Sequence, residues 1–124
     1  VYGPRQAYKG QYAPVIGIFQ KQKFEEKPLT IIGDGNQTRD FIHVADVAHA
    51  NVMVAESDVV GVFNVGSGVE YSVNQIAMLT KNPYGTTTIP SREGEARRSL
   101  SDNTKLKDIG WQPRIGLEAW MAKQ

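Results

Sequence analysis

A chain of 124 residues has room for one compact unit with a modest core, so a single domain over residues 1–124 is expected. With 40% hydrophobic and 22% charged residues and a mean hydropathy of -0.38, it holds no apolar stretch of bilayer-spanning length, and no membrane partner is expected. Fourteen Lys and Arg against thirteen Asp and Glu leave a net charge of +1, too weak a field for a nucleic acid, while the lack of cysteine removes disulfides and thiolate metal sites and suits a cytoplasmic location.

Val1-Tyr2 reads as the end of a β-rich run that Gly3-Pro4 terminates, and with no leader ahead of it the chain is expected to continue upstream. Val15, Ile16, Phe19 and Phe24 fall mostly at helical spacing, predicting a helix from Val15 to Glu26 that Lys27-Pro28 stops. Leu29 to Ile32 is a short β-branched strand, Gly33-Asp34-Gly35-Asn36 a polar turn, and Arg39 to Val44 a second strand. Asp46 is the expected cap of a helix to Glu56, with Val47, Ala50 and Val54 as its apolar stripe. The unbroken run Val59 to Val65 predicts a strand buried on both faces. Ser72 and Gln75 form a capping-box pair that should start a helix carrying Val73, Ile76 and Ala77 inward and breaking by Asn82-Pro83. A loop over 83–98 follows, with one strand at Thr86 to Ile89. A helix from Asp102 to Ile109 closes at Gly110, and Leu117, Trp120 and Met121 mark a last short helix.

Several segments invite a chemical reading. Gly66-Ser67-Gly68 has the glycines of a dinucleotide loop, but Tyr71 stands where the third would fall, so the segment reads as a structural turn. The turn at Gly33 delivers Arg39 to a rigid strand, where a planar guanidinium can grip phosphate oxygens or simply pair with Asp40 or Glu25. In the loop Pro90-Ser91-Arg92-Glu93-Gly94-Glu95, Arg92 can hold phosphate while a carboxylate accepts from ribose hydroxyls; alone, the pattern reads as a solvated charged loop. His43 and His49, six apart with no further ligands, make no metal site, and His43 reads as a partly buried strand residue. Trp111 and Trp120 read as core.

Taken in order, Val1-Tyr2-Gly3-Pro4-Arg5-Gln6, Leu29-Thr30-Ile31-Ile32-Gly33-Asp34-Gly35, Thr38-Arg39-Asp40-Phe41-Ile42-His43-Val44-Ala45-Asp46-Val47, Phe63-Asn64-Val65-Gly66-Ser67-Gly68, Gly94-Glu95-Ala96-Arg97-Arg98-Ser99-Leu100-Ser101-Asp102 and Gly110-Trp111-Gln112-Pro113 resemble the extended short-chain dehydrogenase/reductase family. The resemblance spans essentially the whole chain and lies nearest the NAD-dependent nucleotide-sugar epimerases and dehydratases, the UDP-glucose and UDP-N-acetylglucosamine 4-epimerases above all.

It implies an amino-terminal Rossmann domain that binds NAD and carries a catalytic Tyr-x-x-x-Lys, followed by a small mixed α/β domain that holds the nucleotide sugar. This chain would be the second part alone, with the Rossmann domain missing, no NAD of its own and a UDP-sugar as ligand; the alternatives are a non-catalytic fragment that only folds or self-associates, or the same part of a nucleotide-sugar dehydratase or decarboxylase. Apolar surface uncovered by the missing domain would favour a homo-oligomer. None of Tyr2, Tyr8, Tyr12, Tyr71 and Tyr84 has a lysine four positions later. Carried over by motif, Arg39 and Arg92 would contact the diphosphate, Thr30 (largely through backbone) and Ile32 would line the uracil, and Glu95 would take the ribose hydroxyls. Related epimerases carry an Asn-rich stretch near Ala7-Tyr8-Lys9-Gly10 and, in some, a Tyr at Ser99; this sequence differs at both.

Overall fold

A computed structural model describes residues 1–124. Helix α1 spans Val15–Phe24 and buries Ile16, Gly17 and Phe19, with Phe19 wholly enclosed. Phe24, expected on the inner stripe, is 89% exposed, because the helix ends there and Glu26 turns the backbone into the left-handed region at φ 59°. Strand β1, Leu29–Ile32, runs parallel to β4, Thr86–Ile89, in the register Leu29↔Thr86 to Ile32↔Ile89. This pairing joins segments more than fifty residues apart and makes a two-stranded sheet that leaves the other edge of β1 free.

Strand β2 is shorter than expected, Thr38–Asp40, and pairs antiparallel with β3, Glu70–Ser72. Of the residues predicted to continue it, Phe41 to His43 lie outside the named strands and Val44 opens helix α2, Val44–Glu56, whose cap is His43 and not Asp46. His43 is buried, and its Nδ1 accepts from Ala45 N at 3.0 Å, satisfying a first-turn amide as a capping side chain does. Asp46, only 2% exposed, turns away from its own helix: its two carboxylate oxygens accept from Arg114 N and Ile115 N, each at 3.0 Å, and its carbonyl accepts from Trp111 Nε1 at 3.1 Å. One acidic side chain therefore ties the carboxy-terminal segment to α2.

Helix α3, Val73–Thr80, starts on the expected capping box, with Gln75 N donating to Ser72 Oγ at 3.1 Å and Ser72 N to Gln75 Oε1 at 2.7 Å. Helices α4, Thr104–Asp108, and α5, Leu117–Met121, complete the chain, and Gly110 at φ 97° supplies the left-handed residue that ends the former's turn. One core joins Tyr2, Ile16, Phe19, Leu29, Ile31, Ile76, Leu117 and Met121; a second joins Ile42, Ala50, Leu106 and the fully buried Trp111. Tyr2 is stitched beside α2 by Tyr2 N to Ile42 O at 2.9 Å and Val44 N to Tyr2 O at 2.8 Å.

The run Val59 to Val65 is not a strand. Phe63 and Val65 pack on the second core, but Val60 and Val62 are 92% and 80% exposed, since no other strand of these residues pairs with the run. The observed mixed α/β architecture is the expected fold class, built as two small sheets flanked by helices.

Candidate functional site

A cleft of about 750 Å³ opens between the amino-terminal half of α1, the end of β1, β2 and the loop after β4. Thr30, Ile32, Arg39, Arg92 and Glu95 all line it, although the sequence spreads them over more than sixty positions. The parallel pairing of β1 with β4 brings them together, because it carries the loop holding Arg92 and Glu95 to the end of β1. A smaller cavity of about 240 Å³ adjoins it through shared walls at Ile32, Gln37, Arg92 and Glu95.

Arg39 sits on β2 with its Nη1 donating to Thr38 O at 2.7 Å and its Nη2 3.6 Å from Glu95 Oε1. The two side chains are 32% and 30% exposed, so this ion pair contributes little to stability. The alternative partners Asp40 and Glu25 are both engaged elsewhere. Glu25 meets Lys21 and Lys27, and Asp40 accepts from Ser67 N at 2.8 Å, Ser67 Oγ at 2.7 Å, Gly68 N at 2.9 Å and Ser101 N at 3.3 Å. Arg92 is exposed and takes part in no ion pair. The cleft thus pairs one guanidinium free for a ligand with another that its own carboxylate holds.

Asp40 also settles the character of the Gly66-Ser67-Gly68 segment. Its carboxylate consumes the Ser67 and Gly68 amides that a pyrophosphate would need, and a Cβ at Gly66 would lie 2.2 Å from Ser101 Cβ and 2.8 Å from Asp40 Oδ2. Close packing against the 99–101 segment, not a phosphate, requires glycine there. The rim of the site carries two further pairs. Arg97 grips Asp34 with two 3.0 Å bonds and holds that carboxyl below the ordinary range, and Arg98, with Thr38 Oγ1, does the same for Glu70. Arg97, Asp34 and Arg98 face solvent and Glu70 is half-buried, so these bonds orient the rim more than they stabilise the fold.

Sequence reasoning passed over Asp40 as a loop organiser, and over Gln22 and Gln37. Gln37 is 4% exposed, donates Nε2 to Ile32 O at 3.0 Å and lines both cavities, while its Oε1 has no partner. A polar residue after a glycine turn carries no signal of burial, so only the folded chain could show it. A second cleft of about 770 Å³ lies elsewhere, between Arg5, Gln6, Tyr8, Lys21, Phe24 and Trp120. It holds none of the five predicted residues; there Lys21 Nζ stands 5.9 Å from the Tyr8 ring, and Trp120 packs 5.0 Å from Tyr2.

The profile of the NAD dependent epimerase/dehydratase family matches residues 1–66, over half of the chain. A UDP-glucose 4-epimerase of Mycolicibacterium smegmatis is 38% identical over 129 aligned residues, covering 99% of this chain and 41% of that protein. The structure of UDP-glucose 4-epimerase from Thermotoga maritima with UDP-glucose superposes with a TM-score of 0.88 at 36% identity, over 97% of this chain and 40% of that one. UDP-N-acetylglucosamine 4-epimerase from Methanobrevibacter ruminantium, solved with UDP-N-acetylmuramic acid, gives a TM-score of 0.91 at 33% identity and the same coverage. The chain therefore spans about two-fifths of the length of these relatives.

Proposed function

Because the chain belongs to the NAD-dependent epimerase/dehydratase family, we propose that it is the nucleotide-sugar-binding part of a UDP-hexose 4-epimerase, with the cleft at β1 and β2 as the site. The observation that carries this reading is the convergence of Arg39, Arg92 and Glu95 on one cleft beside Thr30 and Ile32. Arg39 and Arg92 hold the diphosphate, two planar guanidinium groups facing four or more phosphate oxygens. Glu95 accepts from the ribose hydroxyls, and Thr30 with Ile32 lines the base. On binding, the Arg39–Glu95 pair exchanges partners: the guanidinium passes to phosphate and the carboxylate to ribose. What the chain contributes to epimerisation is orientation of the nucleotide while the hexose turns.

NAD does not fit the one glycine turn that invited it, since the Ser67 and Gly68 amides belong to Asp40. We assign the dinucleotide and the catalytic Tyr-x-x-x-Lys to residues outside these 124, which together form one substrate-binding unit of a cytoplasmic, oligomeric enzyme.

Calorimetric titration of the chain with UDP and with uridine tests the reading. Saturable UDP binding with uridine at least about tenfold weaker is expected, the worth of one charge-assisted contact. Uridine binding as tightly as UDP would show that the arginines do not read the diphosphate.

A further inference from the structure

The free edge of β1 is selectively capped. In a parallel pair, alternate residues direct both N–H and C=O toward the partner strand. Leu29 N donates to Gly85 O at 2.9 Å and Gly33 N to Ile89 O at 2.8 Å, so Leu29, Ile31 and Gly33 face β4, and the backbone groups of Thr30 and Ile32 face the open side. Two glutamines meet them there. Gln22, from α1, accepts from Thr30 N at 3.1 Å through Oε1 and donates to Thr30 Oγ1 at 2.9 Å through Nε2. Gln37 donates to Ile32 O at 3.0 Å from the far end. Two backbone groups remain between the glutamines without a partner, the carbonyl of Thr30 and the N–H of Ile32, on residues that line the cleft.

We propose that Gln22 and Gln37 are positioning residues that set base choice: by occupying Thr30 N–H and Ile32 C=O, they leave this edge one acceptor beside one donor. That pair matches a pyrimidine whose edge offers an N–H next to a carbonyl, as uracil and thymine do at N3 and O4. Cytosine reverses both partners, setting its N3 lone pair against the Thr30 carbonyl and its N4 amino group against the Ile32 N–H. A mismatched edge in a closed site costs far more than a lost contact, because both backbone groups stay unpaired. Neither glutamine needs to touch the ligand. Each acts by removing the backbone group that would let cytosine find a complementary pair. The inference rests on the proposal that the nucleotide occupies this cleft.

The test titrates the chain with UDP, CDP and inorganic pyrophosphate. The wild-type chain should prefer UDP over CDP by roughly tenfold or more. Gln37→Met frees the Ile32 carbonyl for the cytosine amino group, and Gln22→Met frees the Thr30 N–H for its N3. Each should move the UDP-to-CDP ratio toward unity, and circular dichroism checks that both variants fold. If the glutamines only brace the loop and the helix, UDP and CDP weaken by the same factor, the ratio stays at its wild-type value, and the inference is overturned. Equal binding of UDP and CDP by the wild-type chain overturns it without any variant. Pyrophosphate separates the two levels: binding of pyrophosphate with no base preference leaves the cleft standing and removes this inference, whereas no binding of UDP or pyrophosphate removes both.

Discussion

Replacing Arg92 with alanine should cost more affinity for UDP than replacing Arg39, although both line the same cleft and both are proposed to hold the diphosphate. A charge-assisted contact contributes about 1.5–3 kcal/mol, or roughly ten- to more than a hundredfold in affinity. Arg92 has no ion-pair partner to give up, so its loss should fall within that range. Arg39 must first leave Glu95, 3.6 Å away, an exposed pair worth up to about 1 kcal/mol, and its net loss should be nearer 0.5–2 kcal/mol. Arg→Lys should restore only part in either case, because an ammonium keeps the charge and loses the planar fork. Glu95→Gln separates the two roles of the carboxylate. It should weaken UDP binding mildly, since an amide still accepts one ribose hydrogen bond, yet strengthen binding of inorganic pyrophosphate, which has no ribose and gains a released Arg39. Calorimetry with both ligands reads all of these changes. Affinities of both alanine variants within about 0.5 kcal/mol of wild type would refute the assignment of the arginines. Pyrophosphate affinity unmoved by Glu95→Gln would refute the exchange of partners.

Asp46→Ala should destabilise the chain by roughly 2–4 kcal/mol, because it strands the Arg114 and Ile115 amides, and the shift in urea midpoint measures it. Burial first, and the charge of Asp46 second, push the Tyr2 phenol up to about 12. Its neutral form then stabilises the fold fully below about pH 10, the unfolded value, and that contribution is lost as pH rises toward the folded one. Ultraviolet titration should show a last phenolate step that Tyr2→Phe abolishes; ionisation of every tyrosine near pH 10 would contradict the burial argument. The chain by itself should neither bind NAD nor turn over UDP-glucose, as no tyrosine has a lysine four residues on, and formation of UDP-galactose by the purified chain would contradict this. Exposed Val60, Val62 and Met78 should drive self-association, which a lone 13.7 kDa species in sedimentation at high concentration would exclude.

Local signals in the sequence translated well into structure. The Ser72–Gln75 box, the stop at Gly110 and the strand at Thr86 to Ile89 each depend on residues a few positions apart, and each stands where its chemistry predicts. Errors arose where a residue's partner lies far along the chain. Asp46 has the chemistry of a cap, but two amides nearly seventy residues away claim its carboxylate, and the buried His43 takes its place. The Val59 to Val65 run has the composition of an enclosed strand and no strand to pair with, so half of its valines face water. The candidate site was legible only through the motif resemblance: Arg39 and Arg92 each look like ordinary surface charges until β1 and β4 pair. Gln22 and Gln37 escaped notice, as did the part Asp40 plays in holding the Ser67 and Gly68 turn, because each shows itself only in what it hydrogen-bonds across the fold.

The most direct test of the nucleotide site is a crystal structure of the chain with UDP-glucose. The diphosphate should lie between Arg39 and Arg92, the ribose on Glu95 with its ion pair to Arg39 opened, and the base against the free edge of β1, as the proposed site requires. Density for the ligand in the other cleft, beside Arg5 and Trp120, with the Arg39–Glu95 pair still closed, would contradict it.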